Sequence, residues 1–209
     1  MKIAYNGNMT EPNPPRRTQA QRTRQRKKQV ILAAIRFFGQ YGFHGARLSD
    51  IASAAGVTEP GLLHHFPSKE DLFMEVLAER DRLDHEQFDP ATHAIKGDPL
   101  KSLQKLVEHN EQVPGLVQLF TVLVAESIDQ QHPGHEFFKH RYQDLRAKTI
   151  DIITTAQENR EIRHDIPADD IVVMLFAMMD GLQIQWLYDA EKINMARLFE
   201  RFLELLREK

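Results

Sequence analysis

The sequence predicts an all-α protein of about nine helices, and three observations support this fold class. Apolar residues recur every three or four positions along most of the chain, and no segment alternates as a half-buried strand would. Glycine and proline divide the chain into helix-sized lengths, for example at Gly42, Pro67 and Pro114. Residues 49–66 read as a short helix, a glycine turn and a second short helix, which is a helix-turn-helix pattern.

Three helices are predicted around this motif. The first should end at Gly42, and one of its faces carries Val30, Ile31, Ala34, Phe37 and Phe38. The second should cover residues 48–55, and Gly56 should supply the positive φ of the turn. The third should begin at Thr58 or Glu59 and end at Phe66, because a residue before proline avoids the α region. Leu62 and Phe66 should face the core.

Six further helices are predicted in the rest of the chain. Ser68 to Asp71 forms a capping signal for helix 4, which should reach about Leu83. Residues 84–97 lack a period and contain Pro90, which indicates a loop that can include a short turn of helix. Helix 5 should open at Asp98-Pro99, and helices 6 and 7 should span residues 116–128 and 135–159. Helix 8 should run from residue 167 to 188, and Asn194 should cap helix 9. The inward face of helix 7 should consist of Phe138, Tyr142, Leu145, Thr149, Ile152 and Ala156.

Charge divides the chain into a cationic and an anionic part. Residues 1–70 carry 11 Lys and Arg against 4 Asp and Glu, whereas residues 71–209 carry 16 against 26. A polyanion such as DNA is attracted to the first part and repelled by the second. We therefore predict a disordered basic arm over residues 1–22, a helix-turn-helix DNA-binding domain over residues 23–70 and a helical body over residues 71–209.

The stretch from Gly42 to Leu72 resembles the N-terminal domain of TetR-family transcriptional regulators; it reads G-F-H-G-A-R-L-S-D-I-A-S-A-A-G-V-T-E-P-G-L-L-H-H-F-P-S-K-E-D-L. The later D-G-L-Q-I-Q-W-L-Y-D is similar to the eighth helix of one branch of that family. The resemblance implies a homodimer in which helix 4 joins each DNA-binding head to an effector-binding and dimerisation domain. It also implies that the last two long helices of each protomer form a four-helix bundle.

The chain departs from the usual family pattern at three places in the head. Ala46-Arg47 stands where a hydroxyl pair commonly opens helix 2, Leu63 stands where the family often has Tyr, and Pro60-Gly61 replaces a common Gly-Thr. A phenol contact to phosphate is therefore absent from the recognition helix. These departures concern the details of DNA contact.

Residues expected to contact DNA lie in helix 3 and on its flanks. Pro60 and Leu63 are suited to a thymine methyl group, and Glu59 either accepts from a cytosine amino group or favours the helix dipole. Arg47 and Lys69 are expected at phosphates, and a basic arm can follow phosphates or enter the minor groove. A two-fold dimer should read a pseudo-palindrome whose half-sites are about 34 Å apart or somewhat more. The full candidate set is Arg26, Arg47, Thr58, Glu59, Pro60, Gly61, Leu63, His64, His65 and Lys69.

An effector site is predicted in the body, where aromatic, Met and isolated polar residues interrupt apolar helices. Asp180 and Gln183 lie in an otherwise apolar helix, and their buried polar groups need partners from the protein or from a ligand. The candidates are His109, Gln112, Phe120, Glu126, Phe137, Met178, Asp180, Gln183 and Trp186.

Together these patterns predict a cytoplasmic, ligand-responsive transcriptional regulator, most simply a repressor, that binds duplex DNA as a homodimer. Two alternatives remain: a constitutive DNA-binding regulator without effector, and a helical metal-dependent hydrolase built on His132, His135, Glu136 and His140. His135 and His140 are one residue too far apart for the zinc-binding H-E-x-x-H spacing, which disfavours the enzyme. We predict no cofactor, no metal and no membrane span, and the chain contains no cysteine.

Overall fold

The computed structural model describes residues 18–88 and 99–208, and the described residues form nine α-helices. The predicted all-α fold is therefore confirmed. The helices are α1 (Gln19–Gly45), α2 (Leu48–Ala54), α3 (Glu59–His65), α4 (Lys69–Phe88), α5 (Pro99–Asn110), α6 (Pro114–Glu126), α7 (His135–Glu158), α8 (Ala168–Tyr188) and α9 (Met195–Leu206).

Helix α1 begins earlier than the sequence pattern predicts. The Thr18 hydroxyl accepts from the Gln21 amide at 3.2 Å, and the Gln21 side chain accepts from the Thr18 amide at 2.9 Å. This reciprocal capping box starts the helix ahead of its first buried residue, Val30. The prediction of a disordered arm is wrong for residues 18–22, and residues 1–17 lie outside the described part of the chain.

Helices α1 and α4 extend beyond their predicted ends, and α6 spans Pro114–Glu126 instead of residues 116–128. Gly42 has φ +68° and interrupts α1, but one more helical turn continues to Gly45. Gly56 has φ +68° in the turn between α2 and α3. Helix α4 continues to Phe88, so the loop predicted from residue 84 is wrong over residues 84–88, where no Gly or Pro stops the helix. The rest of that predicted loop, with Pro90, lies outside the described residues, as does Asp98 at the predicted start of helix 5.

Two hydrophobic cores hold the molecule together, and the first crosses the predicted domain boundary at residue 70. It combines residues of α1 to α4 with Leu119, Phe120 and Leu123 of α6 and Phe138 of α7. Helix α1 packs closely on α6 at Gly39, where an added Cβ would lie only 3.2 Å from the Leu119 backbone. The second core consists of residues from α5 to α9. Helix α6 is thus shared between the helix-turn-helix head and the body.

Helix α8 is the only described helix that is long and apolar enough, by length and composition alone, to cross a membrane. It packs against α6, α7 and α9, and its buried residues include Ile171, Leu175 and Leu182. The core helix of a soluble protein has the same composition. Strand structure within residues 18–88 and 99–208 is limited to one antiparallel bridge between Ile162 and Arg207.

Candidate functional site

The head presents α3 on its surface through a tight turn after α2. The Val57 amide donates to the Ala52 carbonyl at 3.0 Å, and Gly56 supplies the left-handed conformation between them. The Thr58 hydroxyl then caps α3 by accepting from the Gly61 amide at 3.2 Å. Leu62 and Phe66 are buried as predicted, which turns the opposite side of this short helix outward. The arrangement is that of a helix-turn-helix whose second helix is free to enter a groove.

The predicted DNA-contacting residues of the head are all exposed or half-buried in the structure. Six of them are exposed, namely Arg26, Arg47, Thr58, Glu59, Pro60 and His64. The other four are half-buried, namely Gly61, Leu63, His65 and Lys69. Arg47 is the N-cap residue of α2, and its cationic side chain extends into solvent. These positions remain predictions as DNA contacts.

A cationic patch joins the N-terminal part of α1 to the end of α3. The Lys27 ammonium lies 5.5 Å from the Phe66 ring centroid, and the rings of His64 and His65 are 5.5 Å apart. Burial lowers the pKa of His65, and the positive charges of His64, Lys27 and Arg26 lower it further. We refer to Arg26, Lys27, His64 and His65 as the basic patch. Arg26 and Lys27 carry the permanent positive charges of the patch, which attract the phosphates of a bound duplex.

Lys69 is held at the end of α1 rather than extended into solvent. Its ammonium donates to the His44 carbonyl at 3.2 Å and lies 4.9 Å from the Phe43 ring centroid. Partial burial lowers the pKa of this ammonium. Lys69 therefore helps to fix α4 against the last turn of α1, a structural role that its position in the sequence did not suggest.

A polar junction connects the head to α6. The Phe43 amide donates to Oε2 of Glu126 at 2.6 Å, and the Glu126 carboxylate also lies against Gly42. Glu126 was a predicted effector ligand, but the structure places it at this junction, at the C-terminal end of α6. Sequence periodicity could not reveal this, because the partner of Glu126 is a backbone group 83 residues away.

His132 is buried beside Glu126 and completes the junction. Its Nδ1 accepts from the Gly134 amide at 3.1 Å and lies 2.9 Å from the Ser127 hydroxyl, so the neutral ring carries its proton on Nε2. Nε2 is 3.7 Å from Oε2 of Glu126 and has no hydrogen-bond partner among the described residues. Burial lowers the pKa of His132, although the nearby Glu126 charge opposes that effect.

A cavity of about 400 Å³ lies in the body between α4, α5, α6, α7 and α8. Its volume falls within the range of small-molecule sites. Most of its wall is apolar, and the larger apolar lining residues are Leu103, Leu106, Phe120, Phe137, Leu145, Ile152, Phe176 and Met179. The inward face predicted for α7 contributes Tyr142, Leu145, Thr149 and Ile152 to this wall.

Three charged side chains in the cavity wall form ion pairs with one another. Nε of Arg141 donates to Oδ1 of Asp81 at 2.7 Å, and the Arg80 guanidinium lies 3.6 Å from the same oxygen. Both guanidinium groups also lie over the Phe120 ring; that of Arg80 is 4.0 Å and that of Arg141 is 5.2 Å from its centroid.

A second polar pair lies across the cavity on α7 and α8. The Tyr142 hydroxyl donates to Oδ2 of Asp180 at 2.7 Å. Burial raises the pKa of Asp180, while the Tyr142 hydrogen bond and the positive charges of Arg141 and Arg80 act in the opposite direction. Burial and the neighbouring Asp180 charge also raise the pKa of Tyr142, so its hydroxyl stays protonated and continues to donate.

Four of the nine predicted effector-binding residues line the cavity, namely Phe120, Phe137, Asp180 and Gln183. The others lie elsewhere in the described part of the chain. Trp186 is buried in the second core, and Met178 packs on its edge. His109 precedes the lining residue Asn110 but does not line the cavity itself, because successive side chains of a helix differ in direction by about 100°. Gln112 is exposed in the turn after α5, and Glu126 belongs to the junction.

Sequence reasoning missed the ionic part of the cavity wall. Arg80 lies at apolar spacing after Leu72, Phe73, Val76 and Leu77, and this is the signal that could have indicated a buried guanidinium. Asp81 and Arg141 carry no such signal, because their pairing joins α4 to α7 across 60 residues.

The histidines of the hydrolase hypothesis do not converge. The His135 Nδ1 donates to the Ser127 carbonyl at 2.9 Å, His132 is buried in the junction, and His140 lines the cavity. Across residues 18–88 and 99–208, no group of three or more His, Asp or Glu side chains is arranged to hold a metal ion.

An apolar stripe remains uncovered along α8. It includes Val173, Met174, Ile184 and Tyr188, and the neighbouring Ala177 and Gly181 have little or no side chain. Leu205 of α9 is also 65% exposed. A soluble protein rarely leaves such an array in water, so the stripe indicates an association surface.

An exposed helix-turn-helix beside a basic patch, joined to a helical body with a cavity, defines a DNA-binding transcriptional regulator. Residues 30–76 match the family described as "Bacterial regulatory proteins, tetR family", and residues 103–208 match "BetI-type transcriptional repressor, C-terminal". The second match alone covers half of the chain. The chain belongs to the TetR family of transcriptional regulators.

Similarity to individual proteins extends over nearly the whole chain. The chain is 26% identical over 204 residues to the regulator CymR of Pseudomonas putida, and the match covers 94% of this chain and 97% of that protein. It is 30% identical over 205 residues to the regulator TtgR, also of Pseudomonas putida, covering 89% and 90%. A regulator from Saccharomonospora viridis, crystallised in complex with choline, is similar with a TM-score of 0.72 at 25% identity, covering 85% and 95%. TetR-family regulators bind DNA, form dimers and are in general cytoplasmic non-enzymes, and some bind small molecules.

Proposed function

We propose that this protein is a homodimeric, non-enzymatic transcriptional repressor of the cytoplasm that releases its operator when a small molecule enters the body cavity. The basic patch and the exposed face of α3 support the DNA-binding part of the proposal. The stripe on α8 supports dimerisation through the last two long helices. The effector part is supported by the cavity and by its connection to the head.

The observation that carries effector control is the shared wall between the cavity and the head. Arg80 and Asp81 lie on α4, which begins immediately after the recognition helix, and Phe120 lies on α6, which packs on α1. A ligand that displaces these side chains therefore acts on two helices that position the head. Two heads that no longer match successive grooves lose affinity, and DNA in turn weakens effector binding.

Selection of bound fragments from random duplex DNA by the full-length protein tests the DNA-binding part. We expect a pseudo-palindromic site. Arg47→Ala should weaken binding to all selected sequences, because a phosphate contact carries no base information. The salt slope should fall by about two, since a homodimer loses one phosphate contact in each protomer. Lys105→Ala removes an exposed cation from α5, away from the head, and should change neither quantity.

Base readout by α3 is tested with the same selected fragments. His64→Ala should change the relative affinities of sites that differ at a single base pair more than it changes the salt slope. A uniform loss for every fragment would instead make His64 a phosphate contact. Failure of the wild-type protein to retain any duplex at low ionic strength would contradict DNA binding altogether.

Effector control is tested by a thermal-shift screen followed by titration of each stabilising compound into the protein–operator complex. We expect compounds that bind the body to weaken operator binding, measured by fluorescence anisotropy. If saturating amounts of every binding compound leave operator affinity unchanged, release by effector is excluded and the regulator is constitutive.

A further inference from the structure

Three neutral polar side chains in the cavity wall are buried without a protein partner for their side chains. Ser102, Asn110 and Gln183 are only 8%, 6% and 5% exposed, and all three line the cavity. Their side chains make no hydrogen bond within residues 18–88 and 99–208. Their polar atoms are not fully buried and keep accessible surface in the cavity, where a ligand can bond to them. These three side chains therefore provide unused hydrogen-bonding capacity towards the cavity.

Three charged side chains of the wall, Arg80, Asp81 and Arg141, already form ion pairs with one another. Asp81 is shared by Arg80 and Arg141, and Asp180 accepts from Tyr142. With Asp144 and Lys148, the described lining contains three Asp side chains and three Arg or Lys side chains, so carboxylates and permanent cations balance; the imidazole of His140 also lines the cavity. An ionic ligand would have to displace an existing pair, and an unpaired buried charge is costly. An uncharged ligand leaves these pairs intact.

The apolar wall indicates the rest of the ligand. The Phe120, Phe137 and Phe176 rings line the cavity, and aromatic side chains pack favourably against other rings. We propose that the cavity binds an uncharged aromatic molecule whose hydroxyl, carbonyl or amide groups bond to Ser102, Asn110 and Gln183. It discriminates against organic cations and carboxylates of the same size. This inference rests on the proposed effector function and specifies the chemical class of the effector.

A series of probes with one ring frame tests this selectivity. 2-Naphthamide is neutral, 2-naphthoate is an anion and 2-naphthyltrimethylammonium is a cation. Titration calorimetry with the full-length protein in the absence of DNA should give 2-naphthamide an affinity at least roughly tenfold above that of either ion. A tighter charged probe, or no measurable binding of 2-naphthamide at about 1 mM, would overturn the proposed class.

Variants at Gln183 test whether its side-chain amide causes the preference for the neutral probe. Gln183→Met keeps the length of the side chain, removes its hydrogen bonds and should weaken 2-naphthamide by roughly three- to tenfold. Gln183→Glu should weaken 2-naphthamide and improve the cation relative to the anion. Gln118→Met, an exposed position on α6, is the matched control and should bind all probes as the wild type does. Equal loss in Gln183→Met and Gln118→Met would contradict the role of Gln183.

The proposed ligand class and the proposed release of the operator can be contradicted independently of each other. If 2-naphthamide binds as expected but leaves operator affinity unchanged, the ligand class holds while release by this ligand fails. If 2-naphthoate binds more tightly and also releases DNA, the proposed function holds and the neutral class is wrong. Anisotropy of the protein–operator complex with each probe distinguishes these results.

Discussion

Gly42 occupies a position that no other residue fits without strain. Its φ of +68° is unfavourable for a side chain, and an added Cβ would overlap the Glu126 carboxylate. We expect Gly42→Ala to lower the free energy of unfolding by roughly 2 kcal/mol or more, measured by urea denaturation. Gly115→Ala is the control, because a Cβ there meets no described atom within 4 Å.

The two components of the Gly42 effect can be separated. The double variant Gly42→Ala, Glu126→Ala removes the overlap but keeps the backbone strain and loses the acceptor for the Phe43 amide. We expect its loss to be smaller than the sum of the two single losses, because the residues are in contact. Additive losses, or equal stability of Gly42→Ala and Gly115→Ala, would contradict the close contact with Glu126.

His132 makes the junction sensitive to acid. Its pKa is lowered in the folded protein, so the unfolded chain binds the proton more tightly and stability is lost as pH falls below about 6.5. The Glu126 and Asp129 charges oppose this shift, and His44 reinforces it. Between pH 7.5 and 5.5, stability should fall less steeply in His132→Gln than in the wild type, by up to about 1.4 kcal/mol per pH unit.

Urea denaturation at several pH values measures this difference. The variant His164→Gln is the control, because the exposed His164 contacts the Glu208 carboxylate at the surface, and its pH profile should follow that of the wild type more closely. Identical profiles for His132→Gln and the wild type would show that protonation of His132 is not coupled to folding.

Individual site residues were predictable where a local pattern marks them. Asp180 and Gln183 interrupt an apolar helix, and both line the cavity. Glu126 also ends an apolar helix, yet it accepts from the Phe43 amide of the head, a partner 83 residues away that no local pattern marks. Long-range pairing of this kind, like that of Asp81 with Arg141, leaves no trace in periodicity.

At the scale of elements, the recognition helix depends on its cap. Helix α3 has only seven residues, so the single hydrogen bond from the Gly61 amide to Thr58 is a large share of its stabilisation. Thr58→Ala should lower the free energy of unfolding by about 1 kcal/mol and weaken operator binding, whereas Thr58→Ser should retain most of both. Denaturation and anisotropy measure the two effects. Equal behaviour of the two variants would assign the effect to the methyl group instead.

Most helices were predictable because glycine, proline and capping residues punctuate the apolar period. Helix α3 begins after Thr58 and α9 after Asn194, as the capping patterns predict. The start of α1 and the end of α4 were not predictable. Both segments consist mainly of polar residues, so no apolar face indicates that they are helical.

At the scale of the whole molecule, we expect the uncovered stripe on α8 to form the dimer interface. Ile184→Glu places a charge in its middle and should shift the protein from dimer to monomer in analytical ultracentrifugation. Binding to a two-half-site operator should fall by at least roughly tenfold, because two linked heads bind with an effective concentration that a single head lacks. Ile128→Glu is the control, since Ile128 is 77% exposed but lies off the stripe, after α6. A dimeric Ile184→Glu protein would exclude this surface.

The sharing of α6 affects how operator specificity can be exchanged between relatives. A chimera made by cutting the chain after α4 leaves behind Leu119, Phe120 and Leu123, which fill the core beneath the helix-turn-helix. The transplanted part would carry a hole on that side unless the recipient happened to offer side chains of matching shape. Changes of DNA preference should therefore be reached more readily by substitutions on the outer face of α3 than by transplanting the module whole.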